Sequence, residues 1–307
     1  VPTFDHVLLT RFSVRFLAEQ PPPDDDWLVY RWGFFRDALA SSLSHQTVRD
    51  FRWLVFCDAS SPEWLREEME ALAPGLFTPV WLDEPWSHSV IRDAVTGVLS
   101  QDDYLITTRI DSDDAVGIRF IEEVQSHFDG QESMYINLLR GVQVARSGQV
   151  FRYDEPLNPF ISYVEKLTTG TPMRTVFQDF RHAQSQRHAP VLNVVTAPRW
   201  MQVVHGSNLA NSIRGLRADP RIVNEEFTLE LPYTRDVRPL TLFRERQISR
   251  LWLLKLWIRY PYFADEAART RRERRQGTAV LPQTDKNPMP RYDALKRMKD
   301  RIFPPKK

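Results

Sequence analysis

The stretch Thr107-Thr108-Arg109-Ile110-Asp111-Ser112-Asp113-Asp114 directly follows a strand-like run, Tyr104-Leu105-Ile106. Three carboxylates within four residues repel one another, so placing them at a strand end makes sense where a divalent cation or a donor-rich ligand neutralises them. Hard carboxylate oxygens suit Mg²⁺ or Mn²⁺, which complete their shells with water and substrate phosphates. A solvated acidic turn is the other reading of an isolated D-x-D triplet, and the surrounding sequence decides between the two.

Working outward, strand-like and helix-like segments alternate. His6-Val7-Leu8-Leu9-Thr10 and Arg52-Trp53-Leu54-Val55-Phe56-Cys57 are apolar runs of strand length, and Val80-Trp81-Leu82 is a third. Between them, residues 32–43 set Trp32, Phe35, Leu39 and Leu43 at helical spacing. Residues 62–72 open on Ser61-Pro62, an N-cap and first-turn pair, and place Leu65, Met69 and Leu72 on one face. Further helices are expected over 87–99 and 117–128. This rhythm predicts right-handed crossovers and a mostly parallel α/β sheet with helices on both faces. Ligands of such sheets bind outside the carboxyl ends of the strands. Thr10 and Arg11, Asp58 and the Asp111 cluster all fall at those ends. No G-x-G-x-x-G follows the first strand and no G-K-[ST] loop occurs, which argues against a dinucleotide fold and a P-loop.

The second half differs. Strand-like runs over 133–139, 142–145 and 149–153 suggest a smaller mixed-sheet region. Residues 278–290, rich in proline and polar side chains, read as a wrapped coil before a short basic helix over 292–302. The net charge of +1 conceals an acidic body, −10 over residues 1–240, and a basic tail, +11 over 241–307. Such a tail can meet nucleic acid, anionic lipid or its own body. The run Leu251-Trp252-Leu253-Leu254-Lys255-Leu256-Trp257-Ile258 is far shorter than the ~20 residues of a membrane span. With its flanking arginines and the 269–275 cluster it fits peripheral contact with an anionic membrane, and no nucleic-acid partner is expected. The one cysteine, Cys57, excludes an internal disulfide and suits a reducing compartment, and residues 1–5 lack signal-peptide features. A cytoplasmic place, peripheral at the inner face of the membrane, is the expectation.

The combination Leu9-Thr10-Arg11-Phe12, residues 51–58 and residues 108–114, followed by Asn158-Pro159-Phe160-Ile161-Ser162 and residues 200–208, resembles the bacterial rhamnosyltransferase family, a GT-A-like group, over roughly residues 6–210. Ser89-Val90-Ile91-Arg92-Asp93 is similar to the Ser-x-x-Arg-Asn of many GT-A enzymes. The resemblance implies a GT-A-like fold and a metal-dependent glycosyltransferase that moves a sugar from a nucleotide-diphosphate donor to a glycan acceptor, with inversion preferred. It implies a nucleotide-sugar-binding half over 1–130, an acceptor-side half over 131–240 and a basic helical extension over 241–307.

It also assigns roles. Asp111 and Asp113 would meet ribose and metal, and His205 would supply a further metal ligand, the cation being Mn²⁺ or Mg²⁺. Thr10, Arg11, Asp58, Arg92 and Arg109 would line the donor, arginine forks suiting phosphate oxygens. Asp114 either joins them or caps the next helix. Asp179, between two aromatic residues that could dehydrate it, is the candidate catalytic base, with Glu165, His182 and His188 as other candidates, although Glu165 beside Lys166 reads more readily as a helix-surface residue. Phe160, Trp200 and Asn208 would take the acceptor, the aromatic faces with Tyr163 stacking on a sugar ring, although a tryptophan in an apolar run is more often core packing. Two other readings keep the same acidic site: a glycan-binding module without turnover, and a nucleotidyl- or phosphotransferase.

Overall fold

The computed structural model describes residues 3–100, 102–179, 181–205, 213–229 and 237–285. The first apolar runs form β1 (Phe4–Arg11), β2 (Arg52–Asp58) and β3 (Thr78–Leu82), and the acidic cluster follows β4 (Tyr104–Arg109) and precedes β5 (Ala115–Val116). Later strands are β6 (Ser133–Leu138), β7 (Arg140–Ala145), β8 (Val150–Asp154), β9 (Ser162–Lys166), β10 (Val191–Val194), β11 (Trp200–Val204), β12 (Leu216–Arg217) and β13 (Ala279–Leu281). An eight-stranded sheet runs β13-β10-β6-β9-β4-β1-β2-β3, and β12-β8-β7-β11-β5 form a second sheet. In the large sheet β3, β2, β1 and β4 pair in parallel and β9 is antiparallel to both neighbours. The fold is α/β with a mixed, largely parallel main sheet and a smaller second one. The main sheet takes strands from both halves of the chain, because β6, β9 and β10 continue it.

Strands buried on both faces need apolar residues of both parities, and the sequence supplies them. Leu8, Trp53, Val55 and Ile106 face one layer, whereas Val7, Leu9, Leu54, Phe56 and Leu105 face the other. The first layer holds α1 (Asp25–Phe34), a π-turn (Phe35–Ala40), α2 (Ser41–Ser44), α3 (Glu63–Leu72) and α5 (Phe120–Ser126). The second holds α4 (His88–Thr96), with Val90, Ile91 and Val95 inward.

Several boundaries depart from expectation. The first helix begins at Asp25, where Asp24 caps it by accepting the Trp27 N–H at 2.8 Å. Ser61 caps nothing; Pro62 holds the cap position of α3. Ser87 does cap α4, accepting from Val90. The stretch over 278–290 includes β13, an added antiparallel edge on β10. The helix expected over 292–302 lies outside the described residues. The chain continues through α6 (Arg221–Phe227) to two helices, α7 (Pro239–Arg259) and α8 (Pro261–Gln276). These pack on the body through Arg217–Glu245 at 2.7 Å, Asn193–Glu273 at 2.8 Å and Arg274–Asp154 at 3.1 Å. Part of the basic tail therefore answers the acidic body of its own chain.

A buried polar chain underlies the β4 end. The Gln125 amide donates to His6 Nδ1 at 3.2 Å, so His6 Nε2–H faces Thr108 Oγ1 at 2.8 Å, and Thr108 meets Ser162 at 2.6 Å. Burial lowers the His6 pKa from 6.5 to about 3. A lowered folded value means that the unfolded chain takes the proton first, so stability is full above pH 6.5 and is lost as pH falls toward 3. One such proton sets a slope of about 1.4 kcal/mol per pH unit. His6→Gln should flatten the acid side of the stability curve between these values; a urea-unfolding series showing the same slope in both proteins would remove His6 from the account.

Candidate active site

Two neighbouring clusters occupy the carboxyl rim beyond β1 and β4. In the first, Asp111 lies between two arginines, with Arg11 Nη2 at 3.3 Å and Arg109 Nη2 at 3.2 Å from Oδ1. Both guanidiniums stand 5.3 Å from the Phe177 ring, the range of a cation–π contact. The Asp111 carboxylate keeps 35% of its exposure. Its confinement acts to raise the pKa, but Arg109 and Arg11 outweigh that and hold it well below the usual carboxylate range. An anionic oxygen pair between two forks, open to solvent, is a place where ribose hydroxyls or phosphates can exchange partners.

Phe177 is held by a constrained loop. Thr175 sits at φ 60, unusual for a β-branched residue. Buried Glu165 fixes it by accepting the N–H groups of Arg174 at 2.9 Å and Thr175 at 2.8 Å, and Thr107 accepts from Val176. Glu165 thus stands on β9 and not on a helix surface, with both carboxylate oxygens engaged in holding this loop.

In the second cluster, Asp113 Oδ2 meets His205 Nε2 at 2.9 Å and is ion-paired with Arg31, whose other nitrogen reaches Ser112 Oγ at 2.7 Å. Helix α1 builds the walls: Phe34 stacks on the His205 ring at 4.5 Å, and Tyr30 meets its edge while donating to the His205 carbonyl. Sequence reading missed Tyr30, Arg31 and Phe34. Their spacing placed them on one side of a helix, but the partner at His205 is 174 residues beyond Arg31.

Other expected positions separate. Thr10 does not face the rim: it is fully buried, and its hydroxyl accepts from the Trp53 indole at 3.0 Å. Asp58 is buried, bound by Arg15 and by the Ser60 amide and hydroxyl, so it shapes its own loop. Asp114 caps no helix; it accepts the Val203 N–H at 2.9 Å and ties β11 to the acidic loop. Burial, then repulsion from Asp113 and Asp111, raises its pKa far above the carboxylate norm. Arg92 is half-buried on α4, whose preceding residue Trp86 donates to the Arg15 carbonyl. Trp200 and Phe160 are core residues, not an exposed platform, and stack on each other at 5.2 Å. Asn208 lies outside the described residues.

Asp179 accepts from the Arg181 amide at 2.8 Å and lies 3.4 Å from His188 Nε2. His182 hydrogen-bonds the Leu157 carbonyl through Nδ1, which leaves Nε2 as an acceptor. Burial and the nearby charge of Arg109 lower its pKa to about 4, so it is neutral at physiological pH. Farther along the second sheet, burial pushes buried Glu155 up to about 7, Arg214 opposing and Glu266 of α8 adding to the rise.

Asp113 and His205 suit a divalent cation. Their 2.9 Å separation is a hydrogen-bond distance and Asp113 Oδ2 is also taken by Arg31, so a cation there would replace both contacts. Asp111 is held by Arg11 and Arg109 as Asp113 is by Arg31, and no group of three potential metal-binding residues occurs among the described residues. Mg²⁺ and Mn²⁺ are commonly held by one or two protein ligands, with phosphates and water completing the shell.

Residues 21–217 match the family model described as "Putative rhamnosyl transferase". The chain belongs to this glycosyltransferase family. No curated protein matches it significantly. Among solved structures, S. aureus TarS 1–349 in complex with UDP-GlcNAc is similar over 72% of this chain and 64% of that one, with 11% identity and a TM-score of 0.41. The same protein with UDP gives 65%, 60%, 11% and 0.39. HddC from Yersinia pseudotuberculosis complexed with GMP-PN is similar over 66% of this chain and 90% of that one, with 9% identity and a TM-score of 0.33. The chain spans about 60% of the TarS fragment.

Proposed function

We propose that this family member transfers a sugar, rhamnose by the family's description, from a nucleoside-diphosphate donor to a glycan acceptor with inversion. The observation that carries the reading is the placement of the Arg11–Asp111–Arg109 group beside the Asp113–His205 pair on one rim of a largely parallel sheet. Asp111 accepts ribose hydroxyls. Arg11 and Arg109 place positive charge on the diphosphate that departs. Asp113 and His205 would hold Mn²⁺ or Mg²⁺, which would supply Lewis-acid stabilisation of the leaving diphosphate. The acceptor hydroxyl loses its proton to a base on the 177–188 segment. Asp179 is the carboxylate candidate. His182, with Nδ1 oriented by the Leu157 carbonyl, is the imidazole candidate, but a pKa lowered to about 4 makes it a weak base. The chain works in the cytoplasm, where the buried Cys57 thiol, raised by that burial, stays reduced and inert.

Thermal-shift screening of nucleotide sugars with and without Mn²⁺ identifies the donor, because a ligand specific to the native state raises its melting temperature. Incubating that donor with glycan acceptors should release nucleoside diphosphate. Pyrophosphate release instead would make the protein a nucleotidyltransferase, and glycan binding without turnover would make it a binding module.

A further inference from the structure

Helix α7 carries apolar side chains on two sides. Its inward side, Leu242, Ser249 and Leu253, packs on the body. Its outward side carries Leu240, Phe243, Leu251, Leu254 and Ile258, each at least half exposed, at helical intervals with Gln247 filling the one gap. Ile248 and Trp252 widen the stripe on one flank. Exposed Arg244, Arg250, Lys255 and Arg259 border it. The helix has one carboxylate, Glu245, and Arg217 and Gln149 hold it. At 21 residues α7 is about 32 Å long, and no helix among the described residues is long and apolar enough to cross a membrane.

A contiguous apolar stripe of this size needs an occupant. A second copy of the chain fits poorly: stripe against stripe would bring the bordering cations of the two copies together, with the only carboxylate of each helix already engaged. An anionic bilayer supplies both an apolar interior and the missing negative charge. We propose that α7 docks flat on an anionic lipid surface, its stripe entering the interfacial region and its bordering cations meeting headgroup phosphates. Arg250, one turn before Leu254, also lines with Arg246 a cleft of about 940 Å³ against α8. Within the 269–275 cluster Arg269 pairs with Glu273, Arg274 with Asp154, and Arg271 lies over Trp257, so three of its five arginines have partners in the chain.

Co-sedimentation of the full chain with phosphatidylcholine vesicles, with and without phosphatidylglycerol, tests this. The chain should sediment with the anionic vesicles at low salt, at least about tenfold more tightly than with neutral ones, and high salt should weaken the binding. Leu251→Glu with Leu254→Glu, both on the outward face, should cost about tenfold or more in partitioning. Arg244→Glu with Lys255→Glu should abolish the preference for anionic lipid. Quenching by brominated lipid should be weaker in Trp252→Phe than in wild type, a readout independent of the stripe variants' folding. The proposal is overturned if the wild type stays in the supernatant with anionic vesicles at low salt, if the Trp252→Phe quenching is unchanged, or if sedimentation equilibrium shows a dimer that the stripe variant dissociates.

Discussion

Asp113→Asn should lower cation-dependent donor affinity by about a hundredfold or more, because it removes the one anionic oxygen shared by the His205 contact and the proposed cation. The same change leaves the Arg31 guanidinium, 15% exposed, without its counter-charge, and breaking a buried pair costs about 3–5 kcal/mol. The two losses are separable. Adding Arg31→Met to Asp113→Asn removes the stranded charge and should recover much of the stability while donor affinity stays low. Calorimetry of the donor with Mn²⁺, beside urea unfolding of the three proteins, reads both. If the double variant regained wild-type donor affinity, Asp113 would be a structural counter-ion to Arg31 and the cation would have to lie elsewhere.

What the sequence made legible follows the range of the forces involved. Strands β1, β2 and β4 are continuous apolar runs, and the carboxylates at the β4 end announce themselves because their repulsion requires an answer within a few residues. Which groups answer is a matter of topology. Arg11 was placed correctly at the rim, but its joint hold on Asp111 with Arg109 depends on β1 and β4 being parallel neighbours. Arg31 was invisible because it lies just before the helix expected over 32–43, which the structure starts at Asp25. Thr10 was misread for a simpler reason. A residue at a strand end has an alternating direction, and its side chain points into the layer of Trp53 while Arg11 points to the rim. Glu165 failed on period: Ser162-Tyr163-Val164-Glu165-Lys166 reads as helix surface until β4 and β6 are known to flank it. The basic tail was legible as charge alone; the ion pairs of Arg269 and Arg274 and the outward apolar stripe of α7 required the packed structure.

Trp200→Ala should destabilise the protein by about 3–5 kcal/mol, the cost of truncating a large aromatic in a packed core. The sequence suggested a sugar-stacking platform, and the geometry argues for a keystone between the two sheets. Its indole N–H donates to the Leu138 carbonyl at 2.8 Å, Phe160 stacks on one side, and Tyr153 meets its edge at 5.9 Å. Gly141 of β7 lies against the ring so closely that a Cβ there would stand 2.1 Å from it, which explains a glycine in the middle of a strand. Gly141→Ala should therefore displace Trp200 and cost about 1–3 kcal/mol, as overpacking does. The two losses should not add, since both act through one ring: once Trp200 is Ala, the Gly141→Ala change has nothing to strike. Urea unfolding of the single and double variants measures this coupling. A Trp200→Ala protein with wild-type stability but a raised acceptor KM would return the residue to the acceptor site.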